Sequence, residues 1–123
     1  MRPARNWPIK FADAARGVGL VVREERRFRV HLAAAMLVLI AAAALRCEPV
    51  EWCLLVGCIG AVFAAETFNA SIETLFHALD DATKARMSGC LDRAAGAVLL
   101  TAGTAVVIGA IVLGRRVVML TGW

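Results

Sequence analysis

The sequence predicts an all-α integral membrane protein: one unit over residues 1–123, an N-terminal amphipathic surface helix followed by three transmembrane helices. Three observations carry that reading. Sixty per cent of the 123 residues are hydrophobic and only 20% are charged, with a mean hydropathy of +0.70, whereas soluble domains run nearer half apolar and a quarter charged. A water-soluble domain this short has too little interior to hide so much apolar surface. The charges are also segregated, leaving three long stretches nearly free of them. Disordered, collagen-like and nucleic-acid-binding chains need polar or repetitive sequence, which is absent, so no nucleic-acid partner is expected.

The first element runs from Trp7 to about Phe28. At 100° per residue, Phe11, Ala14, Ala15, Val18, Val21 and Val22 fall on one side, while Asp13, Arg16, Arg23, Glu24 and Arg27 fall on the other. That division suits a helix (residues 7–28) lying in the membrane surface. Glu25 breaks the pattern by entering the apolar sector. Two readings follow: a frayed helix end that lets it reach water, or a carboxylate that meets a cation or metal.

Three spans follow, at about residues 30–46, 50–79 and 92–114. Val30 to Leu45 contains no acid, Lys or Arg, and Ala94 to Gly114 contains no charge; a bilayer core needs about 20 apolar residues per helix. The first span is short, and its flanking Arg side chains must snorkel. The middle span holds two internal charges, Glu66 and Glu73. Cys47-Glu48-Pro49 turns between the first two spans, and Asp80 to Gly89 forms the loop before the third. With the N-terminus inside, eleven Lys/Arg lie on the cytoplasmic side and three outside, as the positive-inside rule requires. This makes the chain a multi-pass membrane protein with its N-terminus on the cytoplasmic side. Trp52 and Trp123 fall near the outer interface. A signal peptide is not expected, because the charged region before the first span is too long and no small-x-small site follows. Leu45-Arg46-Cys47 is no lipoprotein box, since Arg46 stands where a small residue is needed. The four cysteines form no CxxC and no Cys/His cluster, so they read as small apolar residues.

Chemistry concentrates in the middle span. Glu66, Asn69 and Glu73 are spaced i, i+3, i+7 and share one helix face, with Ala64, Ala65, Ala70 and Ser71 around them allowing close helix approach. An ionisable residue inside a span costs at least about 2.5–3.5 kcal/mol, so two on one face require a reason. A structural interhelical clamp is one reason. The other is function: carboxylates can hold Mg²⁺ together with substrate phosphates, and another can accept a proton from an alcohol attacking a phosphoryl group. Asp92 opens the third span, where an acid is favoured by the helix dipole in any case. No GxxxxGK[ST] loop, Gly-rich protein-kinase loop or HEXXH motif is present.

Three blocks together resemble the small bacterial diacylglycerol kinases: Glu25-Arg26-Arg27-Phe28-Arg29-Val30-His31, Ala65-Glu66-Thr67-Phe68-Asn69-Ala70-Ser71-Ile72-Glu73, and Asp92-Arg93-Ala94-Ala95-Gly96-Ala97-Val98-Leu99-Leu100. The likeness runs from about Phe11 to Gly114. It implies a homotrimer of three-span protomers that phosphorylates a membrane lipid alcohol from MgATP, converting diacylglycerol to phosphatidic acid. It also implies that Glu66 is the catalytic base, that Glu25 and Glu73 bind the metal and position the ATP phosphates, and that Asn69 and Asp92 belong to the nucleotide site. The Glu25-to-His31 block is closer to the branch that phosphorylates undecaprenol, which stands as the alternative substrate. The chain departs from the family where Lys is usual before Asp92, which here is Leu91. It departs also at Ala82-Thr83-Lys84, His77 and Asn6. Arg5, Lys84 or Arg93 is expected to supply the missing cation. A catalytically impaired membrane scaffold is the reading that Leu91 favours, and an ion-conducting role for Glu66 and Glu73 is a further alternative.

Overall fold

The computed structural model describes residues 6–122, so Arg5 and Trp123 lie outside the described residues. All regular structure among them is helical: α1 (Trp7–Glu24), α2 (Arg26–Ala44), α3 (Pro49–His77), α4 (Asp81–Arg86) and α5 (Cys90–Thr121). Three helices, α2, α3 and α5, are long and apolar enough to cross a membrane, and the protein is a multi-pass membrane protein. Few side chains are buried, while Leu99, Leu100, Val106 and Ile111 of α5 are exposed. In water such a surface would aggregate; against lipid it is the expected outer face.

The helix starts follow from local chemistry. Asn6 caps α1 by accepting from the Ile9 backbone N–H at 3.3 Å, with Pro8 inside the first turn. At α3, Pro49 begins the helix, and the Glu48 backbone N–H donates to Glu51 Oε1 at 2.9 Å. Asp80 accepts from the Thr83 N–H at 2.7 Å, and Thr83, through its side chain first and this backbone N–H second, holds the Asp80 carboxyl below the ordinary value. That cap turns part of the expected Asp80–Gly89 loop into α4.

Two boundaries differ from the sequence expectation in instructive ways. The surface helix does not continue to Phe28. It ends at Glu24, and Glu25 takes an extended conformation (φ −102°, ψ 109°), its N–H closing α1 on the Val21 carbonyl. Arg26, Arg27 and Phe28 therefore begin α2, in a new helical phase. At the other end, α5 runs past Gly114 to Thr121. The helix survives Arg115-Arg116 because Arg116 folds back: Nε and Nη2 donate to the Leu45 carbonyl at 3.2 and 3.1 Å, and Nη2 to the Arg46 carbonyl at 2.6 Å. Those carbonyls close the end of α2, where a helix leaves acceptors unpaired. Arg46 itself has φ 54°, a left-handed turn that a non-glycine residue adopts at a cost of about 1 kcal/mol or more.

The core sits at this Arg116 end. Ala42, Cys47, Leu55 and Val112 are buried together, with Trp52, Ile108 and Leu113 packed against them. The most extensive helix pairing is α3 with α5, and α2 lies antiparallel against α3. Toward the opposite end, Phe28 stacks on Phe63 with ring centroids 4.8 Å apart and is 3% exposed. This pair fixes α2 to α3 next to the polar residues described below.

Candidate functional site

At a rise of 1.5 Å per residue, Glu66 lies about 25 Å along α3 from Pro49 and Glu73 about 36 Å. A hydrocarbon core about 30 Å thick therefore ends between them if α3 begins at one membrane surface. Glu66 belongs just inside the apolar layer, and Glu73 in the headgroup region beyond it.

The α3 face predicted from the i, i+3, i+7 spacing is present. Glu66 and Asn69 are buried at 3% and 1% exposure, and Glu73 is half-buried. Their partners come from α2. His31 Nε2 lies 3.2 Å from Glu66 Oε1, within reach of a hydrogen bond. That approach gives the Glu66 carboxylate a polar neighbour from the facing helix, as intramembrane acids require. One turn earlier on α2, Arg27 Nη2 donates to Glu73 Oε1 at 2.9 Å, and Asn69 Nδ2 donates to the same oxygen at 3.0 Å. Glu25, Glu66 and Glu73 all act electrostatically on Arg27.

Asn69 also carries an anomaly, the one unpartnered buried side-chain oxygen among the described residues. Its Oδ1 is buried and has no hydrogen-bond partner. Several hydroxyls of the long helices find partners locally: Thr67, Ser71, Thr74 and Thr101 donate to carbonyls in their own helix. A buried orphan acceptor is a group that a donor or cation would complete.

Glu25, at the α1–α2 junction, is half-buried. Among the described residues its carboxylate makes no hydrogen bond or ion pair, and it reaches the cluster through its field on Arg27. Asp92 is exposed in the first turn of α5, and no hydrogen bond or ion pair joins it to the α2–α3 cluster. Lys84 Nζ stands 5.9 Å over the Phe76 ring, and Arg93 is exposed; neither pairs with the acids. Asn6, where the family resemblance expects Arg, is the cap of α1. The side chains that do pair with the acids, His31 and Arg27, were missed as site residues. A histidine within the first apolar stretch was the available signal for His31, while Arg27 is masked by periodicity that assigns it to a surface helix.

Does the donor set suit Mg²⁺? Glu73 and the orphan Asn69 Oδ1 are hard oxygen donors of the kind that ion takes. Among the described residues no three His, Cys, Asp or Glu side chains gather to enclose a metal. Mg²⁺ commonly keeps waters and substrate phosphates beside one or two carboxylates, so an open set of this kind fits it.

The chain matches the prokaryotic diacylglycerol kinase family over residues 12–113. It is 33% identical over 102 residues to the undecaprenol kinase of Bacillus subtilis (strain 168), covering 83% of each chain. No solved structure gives a significant match. With the family signature spanning nearly all of the three-helix bundle and its polar cluster, the chain belongs to the prokaryotic diacylglycerol kinase family of membrane lipid kinases.

Proposed function

We propose that the protein transfers the γ-phosphate of ATP to a membrane lipid alcohol, converting diacylglycerol to phosphatidic acid, at the cytoplasmic face of the bacterial inner membrane. The observation that carries this is Glu66: a carboxylate 3% exposed, near the rim of the apolar layer, with His31 Nε2 3.2 Å away. Glu66 takes the proton of the lipid hydroxyl as its oxygen attacks the γ-phosphorus. The bond from that phosphorus to the β–γ bridging oxygen breaks, and ADP leaves. Glu73 and Glu25 would hold Mg²⁺, which supplies charge neutralisation at the phosphates. Asn69 presents its unpaired Oδ1 beside Glu73, and Asp92 joins the nucleotide site in the homotrimer that the family resemblance implies.

A second reading keeps the mechanism and changes the acceptor to undecaprenol. The Bacillus subtilis relative favours it. Purified protein in lipid-containing micelles with Mg²⁺ and labelled ATP should label one alcohol faster than the other, and Glu66→Gln should abolish labelling while the protein stays folded. Failure of the wild type to label either alcohol would hand the protein to the scaffold reading that Leu91 suggests.

A further inference from the structure

A nucleotide brought to this cluster meets three carboxylates, Glu25, Glu66 and Glu73, so its phosphates are repelled unless a cation stands between. The cation that the fold places there is Arg27. Its Nη2 is 2.9 Å from Glu73 Oε1, and all three acids act on it. Its side chain is 55% exposed, so an incoming anion can reach it. A guanidinium offers five donors in a planar fork; among the described residues Arg27 commits one, to Glu73. Asn69 donates to that same oxygen, so Glu73 keeps a polar partner when Arg27 leaves. The extended backbone at Glu25 gives α2 its own phase and brings Arg27 to this place.

We infer that Arg27 is a phosphate-binding residue that exchanges partners, leaving Glu73 and turning its donors to the nucleotide's phosphate oxygens when Glu73 faces a divalent cation. This rests on the kinase reading above and makes Arg27, in place of Lys84 or Arg93, the cation that offsets Leu91. The exchange has a sign that distinguishes it from a simple strut between α2 and α3. Removing Arg27 frees Glu73 for metal but removes the group that receives phosphate.

Wild type, Arg27→Ala, Arg27→Gln and Arg27→Lys are to be titrated calorimetrically in micelles, with Mn²⁺ alone and with Mg²⁺ plus a non-hydrolysable ATP analogue. Arg27→Ala should weaken analogue binding about 10–100-fold while Mn²⁺ binds as tightly as in wild type or tighter. Arg27→Gln, which keeps a neutral donor for Glu73, should show the same split with the wild-type melting temperature, and it serves if the Ala variant fails to fold. Arg27→Lys should recover part of the affinity, since it restores charge without the fork. Unchanged analogue binding in Arg27→Ala or Arg27→Gln overturns the inference. So does a parallel loss of Mn²⁺ and analogue binding with a lowered melting temperature. If wild type binds the analogue and labels lipid while these variants match it, the assignment of Arg27 alone falls; if wild type does neither, the kinase reading falls and takes Arg27 with it.

Discussion

The two ends of the bundle handle buried charge in opposite ways. At one end Arg116 is nearly enclosed, with its side chain 11% exposed, and it bonds the Leu45 and Arg46 carbonyls while lying 3.7 Å from Glu51. Its fork closes backbone acceptors that α2 would otherwise leave open. At the other end Arg27 is 55% exposed and shares one carboxylate oxygen with Asn69, whose own carbonyl has no partner. The first arrangement is a finished joint. The second retains open valences, and open valences at a membrane rim are what a ligand can use.

That contrast can be broken from either end. The largest effect is expected at Glu66: Glu66→Gln should lower lipid phosphorylation about 10³-fold, within the range for loss of a general base, with a melting temperature near wild type. A comparable loss from Arg116→Ala would erase the distinction between the ends. Arg116→Ala should instead destabilise the folded protein by about 3 kcal/mol, the cost of leaving a buried ion-pair partner and carbonyls unsatisfied, measured as a shifted denaturation midpoint in micelles. Its activity per folded molecule should stay within twofold or so. Intermediate in size is His31→Ala, expected to reduce kcat roughly 10–100-fold by removing the α2 group beside the Glu66 carboxylate, as small misplacements of a reacting group do; an unchanged kcat would show that His31 only joins helices.

The smallest effect concerns Cys47. Burial pushes its thiol above the ordinary value, so less of the reactive thiolate exists at neutral pH. Alkylation in micelles should therefore require a higher pH than for a free thiol, and Arg116→Ala, by loosening the joint, should speed it. Equal alkylation rates in both proteins would mean that the joint does not shield Cys47.

How far the sequence foretold these features depends on the range of the interaction. The spans were legible because apolar length is a local property, and the Glu66, Asn69, Glu73 face because helical spacing alone sets it. The partners were not. Arg27 and Glu73 are 46 residues apart, and Arg116 reaches carbonyls 70 and 71 residues away; no periodicity within one helix encodes a meeting of two. The break at Glu25 left no mark either, for it lies between Glu24 and Arg26 with no Pro or Gly beside it. Extending the α1 pattern through it assigned Arg27 to the water-facing side of the wrong helix. The short α4 was hidden for a milder reason, since a single cap at Asp80 decides it.

The extended backbone at Glu25 also sets a mechanical ratio. α1 has 18 residues and none of them fully buried, so it is a rod about 27 Å long, resting lightly on α2 and α3 and joined to α2 by the extended Glu25. Swinging it by about 10° at that joint carries Trp7 through about 5 Å by the same helix geometry, while Arg27, two positions beyond the pivot, scarcely moves. A displacement at the far end of the arm therefore reaches the Arg27–Glu73 pair only in small part.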